Sequence, residues 1–216
     1  MRATPAVARA VLRCAIGHTG CVSETVNPGR LPAHPVPLDP GAAVAHLVAE
    51  LAAGRRLVLV DGLSASGKST LAAAVVAATG TPVAVVRGDD FIRRGTTEWD
   101  RARFVRDVLV PLSRGDDAAY RPWPWDAVTP AGWVSVPAGS GVILEGVAVS
   151  DLDPRDVPVG DPLIVWVETP EPERVRRALA RAPHRFACWR DDWLPLERAW
   201  AERSRPWERA HLVVTT

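Results

Sequence analysis

A short apolar run, a glycine-rich turn and one lysine constrain this chain more than anything else in it. Leu57-Val58-Leu59-Val60 is β-branched and uncharged, and it leads directly into Asp61-Gly62-Leu63-Ser64-Ala65-Ser66-Gly67-Lys68-Ser69-Thr70. From Ser69 to Thr79 the sequence is rich in alanine and valine, without glycine or proline, and Gly80 stops it. A buried strand, a tight loop and a helix therefore follow one another without a spacer. The loop fits G-x-x-x-x-G-K-[ST], the phosphate-binding pattern, and a strand before it with a helix after it is the context that pattern requires.

Composition singles out the lysine. Of the 26 Lys+Arg residues only Lys68 is lysine, which leaves 25 arginines. A guanidinium is flat and forked, whereas an ammonium is a compact point charge. A chain that uses arginine everywhere else and keeps an ammonium here implies that this cation does chemistry. Gly62 and Gly67 permit positive φ and close approach of a phosphate. Backbone N–H groups from Ser64 through Ala65, Ser66 and Gly67 to Thr70 are expected to converge on the phosphates, aided by the positive end of the following helix. Lys68 is expected between the transferring and leaving phosphates, with the Ser69 hydroxyl on Mg²⁺. ATP and Mg²⁺ are the expected cofactors, although the loop itself does not distinguish ATP from GTP.

The remaining sequence alternates strands and helices. Ala42 to Ala53 has helical spacing, and Pro82 to Val86 reads as a second strand ending in Arg87-Gly88-Asp89-Asp90-Phe91. Asp100 to Ser113 reads as a helix, and residues 114 to 140 as loop with short strands. Gly141 to Gly146, Leu163 to Val167 and His211 to Val214 read as strands, and Glu171 to Arg181 and Trp193 to Arg203 as helices. Alternation of this kind predicts an α/β domain, a three-layer sandwich around a mostly parallel sheet.

In such a sheet ligands gather at the carboxyl ends of the strands. Asp89 follows the second strand and Glu145 closes the third. A phosphoryl transfer needs one carboxylate to take the acceptor's proton and another near the metal, and these two acids are the natural candidates. The helix from Glu171 carries Arg174, Arg176, Arg177 and Arg181, and Arg185 and Arg190 follow it. Arg174 and Arg177 are the expected contacts to the substrate and to the transferring phosphoryl group, and residues 182 to 192 the expected short helical lid. Eight of the nine tryptophans fall into two groups, one near the expected acceptor site (Trp99, Trp123, Trp125, Trp133) and one near the lid (Trp189, Trp193, Trp200, Trp207). Both stacking on a substrate and ordinary packing are open to them.

Residues 27 to 40 contain five prolines, so residues 1 to 40 are expected to be an irregular, partly disordered extension and residues 41 to 216 the folded domain. A net charge of +1 offers no overall field for nucleic acid or an anionic membrane. No apolar run approaches the ~18 residues of a membrane span. Arg2, Arg9 and Arg13 interrupt what would otherwise be a secretory apolar stretch. Cys14, Cys21 and Cys188 lack metal-like spacing and suit free thiols in a reducing cytoplasm.

These residues resemble a known family, the uridine kinase-like group of P-loop kinases, which includes pantothenate kinase and phosphoribulokinase relatives. The likeness spans about residues 45 to 215 and rests on the loop, Asp89-Asp90-Phe91, Trp99-Asp100 and Val108-Leu109-Val110-Pro111-Leu112. It continues through Tyr120-Arg121-Pro122-Trp123-Pro124-Trp125-Asp126, Leu144-Glu145-Gly146 and the arginine helix. The resemblance implies that Asp89 is the general base, that Glu145 lies near the metal and that Asp100 holds acceptor hydroxyls. It also implies that Trp125 and Asp126 line the acceptor pocket. Ile92 stands where the family usually has tyrosine, and Ala127-Val128-Thr129 lacks the histidine of uridine kinases. The expectation is an ATP-dependent kinase acting on a hydroxyl of a small metabolite, with a nucleoside as first choice. The alternatives are a pantothenate-, sugar- or natural-product-like acceptor, or a regulatory NTP-hydrolysing module. A homo-oligomer is left open.

Overall fold

The computed structural model describes residues 31–32, 34–92, 98–123 and 131–216. Six parallel strands form its centre: β1 (Val36–Leu38), β2 (Leu57–Asp61), β3 (Val83–Arg87), β6 (Gly141–Gly146), β7 (Leu163–Glu168) and β8 (Leu212–Thr215). Their order is β1-β8-β7-β2-β6-β3, so β2 pairs with β6 on one side and β7 on the other. A separate antiparallel pair joins β4 (Ala118–Tyr120) to β5 (Val134–Val136).

The central position of β2 explains its unbroken apolar sequence. A strand sends alternate side chains to opposite faces, and a strand covered on both sides needs both sets apolar. Val58 and Val60 join one core with Leu47, Leu71, Val75 and Val165, under α1 (Pro40–Ala52) and α2 (Lys68–Ala78). Leu57 and Leu59 join the other with Phe91, Phe104, Leu144 and Trp166. That second face is covered by α3 (Arg101–Phe104), a π-helical turn Val105–Leu109, α4 (Val110–Arg114) and the β4–β5 pair. α5 (Glu171–Arg181) follows β7, and a 3₁₀ turn Pro183–Arg185, α6 (Phe186–Cys188) and a π-turn Trp189–Trp193 lead into α7 (Leu194–Ser204) and α8 (Pro206–Arg209). The layers are those expected, and the segment assigned to a lid is helical.

Two details correct the sequence reading. Order does not begin at Gly41, because Val36–Leu38, inside the proline-rich segment, adds an edge strand beside β8. Proline lacks an N–H, which an edge strand tolerates because one side has no partner, and Pro37 occupies such a position. The prolines serve the fold again at Pro40, the first residue of α1, where Asp39 Oδ1 accepts from the Ala42 amide at 2.9 Å. The helix expected over Asp100 to Ser113 is not regular either. Pro111 has no N–H to give, and the chain passes through the π-turn Val105–Leu109 just before it.

The second tryptophan group divides. Trp200 and Trp207 pack on Trp166 of β7, with ring centroids 6.4 and 5.9 Å away, so these two serve the core. Trp99 is buried and donates to the Ala148 carbonyl at 3.1 Å, whereas Trp133 is 71% exposed. Cys188 is a free, exposed thiol, while Cys14 and Cys21 lie outside the described residues.

Candidate active site

The loop between β2 and α2 is built by backbone geometry that only certain residues allow. Gly62 sits at φ +152°, and a Cβ there would meet the Val167 carbonyl at 2.6 Å and the Ser66 hydroxyl at 2.8 Å. Any side chain at this position would force β2 away from β7. Ala65 takes a left-handed φ of 64° without being glycine, a strained choice that the surrounding loop holds in place. Gly67 precedes α2 with no side-chain capping bond, so the helix offers its first N–H groups to whatever lies in the loop.

Lys68 is buried beneath this loop. Its ammonium donates to the carbonyls of Gly62 at 2.7 Å and Leu63 at 3.0 Å. Burial pushes its pKa down, and the fields of Asp61, Glu197, Glu145 and Asp89 pull it back up. Those four acids are therefore within electrostatic reach of one ammonium, although their positions in sequence span more than half the chain.

Asp61, the last residue of β2, is completely buried and holds the floor of the site. Its carboxylate accepts from the amides of Gly62 (2.7 Å), Ala148 (3.0 Å) and Ser150 (2.9 Å) and from the Ser150 hydroxyl (2.6 Å). Burial pushes its pKa up, and those donors together with Lys68 oppose the shift. The bonds fix the turn after β6 against the start of the loop. Sequence reasoning assigned Asp61 no role, since a strand-end aspartate carries no local sign of which amides it will meet.

The structure brings Ser69 and Glu145 together: the Ser69 hydroxyl donates to Glu145 Oε1 at 3.0 Å. A hydroxyl and a carboxylate oxygen side by side are hard donors that suit Mg²⁺, an ion that takes few protein ligands and keeps phosphate and water oxygens for the rest. Asp89 lies on the neighbouring strand end because β3 and β6 close together on glycines. A Cβ on Gly146 would lie 3.3 Å from Gly88 Cα and 3.0 Å from Val149, so larger residues would push the two acid-bearing ends apart. The Asp89 side chain is exposed. Its neighbour Asp90 faces inward instead, where it accepts from the Tyr120 hydroxyl at 3.1 Å, and burial raises both groups' pKa values.

The arginines expected to clamp phosphate lie against the loop's carbonyls. Arg174, only 3% exposed, donates to the Ser64 carbonyl at 3.3 Å and lies 3.6 Å from Glu171. Arg177 donates to the Ser66 carbonyl at 3.3 Å and the Thr216 hydroxyl at 3.0 Å, while Glu173 accepts from its Nε at 2.6 Å. Arg176 is directed instead to Glu173, and Arg190 to Asp191. Asp100 caps α3, accepting from the Arg103 amide at 3.0 Å. Thr70, in the first turn of α2, is exposed. Trp125 and Asp126 lie outside the described residues.

Besides Asp61, another side chain in the site carries no sequence signal. Glu197 of α7, buried at 7% exposure, accepts from the Ser64 amide at 2.9 Å and from the Ser64 hydroxyl. Nothing in Leu194-Pro195-Leu196-Glu197 indicates a contact made 133 residues away.

No helix among the described residues is long and apolar enough to cross a membrane. No family model and no curated protein matches the chain. Among solved structures it is similar to a possible uridine kinase from Bacillus stearothermophilus, with 21% identity and a TM-score of 0.56 over 81% of this chain and 98% of that one. The chain has a uridine kinase-like fold.

Proposed function

We propose that this chain is an ATP-dependent kinase that transfers the γ-phosphoryl group to a hydroxyl of a small metabolite, most simply a nucleoside. The observation that carries the reading is the convergence of Lys68, the Ser69–Glu145 pair and Asp89 at the carboxyl ends of β2, β6 and β3. A nucleotide switch needs the loop and a metal-side acid; it does not need a further exposed carboxylate beside them. The structural neighbour, a possible uridine kinase, is consistent with this choice.

In this reading Asp89 takes the proton of the acceptor hydroxyl as that oxygen attacks phosphorus. Lys68 leaves the Gly62 and Leu63 carbonyls to meet phosphate oxygens, and the open N–H groups of α2 hold the remaining charge. Ser69 and Glu145 would hold Mg²⁺, which would supply positive charge against the negative charge that develops on the phosphates. Arg174 and Arg177 close the loop side of the site, and Asp100, Trp125 and Asp126 bind the acceptor. The helical segment 183–193 excludes water from the transfer.

The test is ATP consumption by the purified chain with Mg²⁺, alone and with a panel of nucleosides, sugars and pantothenate. The reading predicts that one acceptor raises turnover far above the background rate and appears as a monophosphate by mass spectrometry. Hydrolysis indifferent to every acceptor would favour a regulatory NTPase instead.

A further inference from the structure

The contact between Glu197 and Ser64 puts a carboxylate where an anion-binding loop should have room for a phosphate. Ser64 is the second residue after Gly62, on the side of the loop opposite the start of α2. Its amide and its hydroxyl both donate to Glu197, one to each carboxylate oxygen. Around them stand the cations a phosphate would use. Lys68 feels the Glu197 field, and Arg174 donates to the carbonyl of the same Ser64. The carboxylate meets an amide and a hydroxyl, with an ammonium and a guanidinium acting on it from beyond contact distance, and these four kinds of group are the ones phosphate binding uses.

Two further polar groups show that the arrangement is incomplete. Arg174 is 3% exposed, and its buried Nε has no hydrogen-bond partner. The Ser66 hydroxyl, inside the loop, is buried and unpartnered as well. Buried donors are almost always satisfied, so two orphans flanking one loop mark a position that an oxygen-rich ligand completes. The helix bearing Glu197 is also anchored independently. The Trp200 indole and the Ser204 hydroxyl donate to the two oxygens of Asp151 at 2.7 and 2.8 Å, and Leu194 and Ala201 are buried. The far half of α7 is thus tied to the turn after β6, and its near half carries Glu197 and continues directly from the segment 189–193.

We infer that Glu197 is a latch: an internal anion that occupies the phosphate loop while it holds no nucleotide, and that a nucleoside triphosphate displaces, freeing the helical segment 183–193 to rearrange over the site. This rests on reading the loop as a nucleotide site. A carboxylate and a phosphate cannot share the Ser64 donors, and their like charges repel in a partly desolvated pocket. Nucleotide binding therefore has to break the latch, and the apparent affinity is reduced by the fraction of molecules that are latched. Lid position and loop occupancy become one equilibrium.

The test uses the full chain and the non-hydrolysable probe AMPPNP with Mg²⁺. Affinity is measured by calorimetry for the wild type, Glu197→Gln and Glu197→Ala, and amide hydrogen exchange is followed over residues 183–204. The glutamine variant keeps the shape and removes the charge, and circular dichroism confirms that each variant is folded. The latch predicts that both variants bind AMPPNP about tenfold more tightly than wild type. It also predicts that, without nucleotide, their exchange over 183–193 rises towards the rate that wild type reaches only with AMPPNP. If wild type binds AMPPNP and the variants bind it equally or more weakly with unchanged exchange, Glu197 merely braces the loop, and the latch is overturned while the kinase reading stands. If no form binds at millimolar probe, the nucleotide reading and the latch fall together.

Discussion

The two ends of the parallel sheet both bury charge, and they do so in opposite ways. At the amino end, beneath β2 and β8, Glu50 of α1 is fully buried, and Arg55 approaches its Oε2 with Nε and Nη2, each at 3.0 Å. His46 lies 3.6 Å from the same carboxylate, and Arg55 also donates to the Asp161 carbonyl at 3.0 Å. The charge there is matched by an opposite charge at contact distance, although Arg55 Nη2 and His46 Nε2 gain no hydrogen bond of good geometry from it. At the carboxyl end, Lys68 meets two carbonyls, and among the described residues no carboxylate lies within ion-pairing distance of it. Its acids act from further away, and donors around it go unused. A closed ion pair supports a fold, whereas a cation left among carbonyls, with open N–H groups beside it, is the arrangement on which the proposed phosphate site rests.

The contrast breaks most visibly at Lys68. Lys68→Arg keeps the charge, but a forked guanidinium cannot fit between the Gly62 and Leu63 carbonyls. Acceptor phosphorylation by the folded variant should fall at least about 10³-fold. Near-normal turnover would mean that the isolation of this lysine is compositional accident. Asp89→Asn comes next. Loss of a general base should lower kcat by about 10²-fold or more while the dissociation constant for AMPPNP stays within about twofold of wild type, since Asp89 makes no contact with the loop; a matched fall in nucleotide affinity would argue for a metal-side role instead.

At the other end the effect moves from activity to stability. Glu50→Gln leaves Arg55 without its counter-charge and should cost about 3 kcal/mol in urea denaturation, with kcat of the folded fraction unchanged. A variant as stable as wild type would show that the Asp161 carbonyl and solvent suffice for Arg55.

The smallest expected effect is a pH dependence at the same end. Burial lowers the pKa of both His46 and His211 below the ordinary 6.5. Glu50 opposes the shift at His46, and Asp161 and Glu50 oppose it at His211, while Arg55 reinforces it at both. The unfolded chain thus binds protons that the folded one resists. The stability contributed by the neutral rings is complete above pH 6.5 and is lost as the pH falls from there through the lower folded values. The melting temperature should decline between pH 7.5 and 5.5, and less steeply in His46→Gln; equal slopes would place the titration elsewhere.

Legibility followed the range of the interaction. The order β2, loop, α2 could be read because every contact that defines it is local, and the strand ends bearing Asp89 and Glu145 could be placed because parallel sheets put ligands at one edge. β1 was missed because local signals there, prolines above all, point to irregular chain, and only pairing with β8 from the far end of the sequence makes it a strand. The sequence leaves Trp200 and Trp207 open to both a lid and packing, and only Trp166 beneath them makes packing their role.

The sequence by itself determined that this chain must make a glycine-rich turn between a buried strand and a helix and that its one lysine sits there, since strand apolarity, glycine spacing and helix composition all lie within one short segment. Only the tertiary structure decided what surrounds that lysine. Asp61 binding the turn after β6, glycines letting Asp89 and Glu145 approach, and Glu197 reaching Ser64 across 133 residues depend on which strands become neighbours. That choice is made by burial summed over the whole sheet, to which no single segment holds the key.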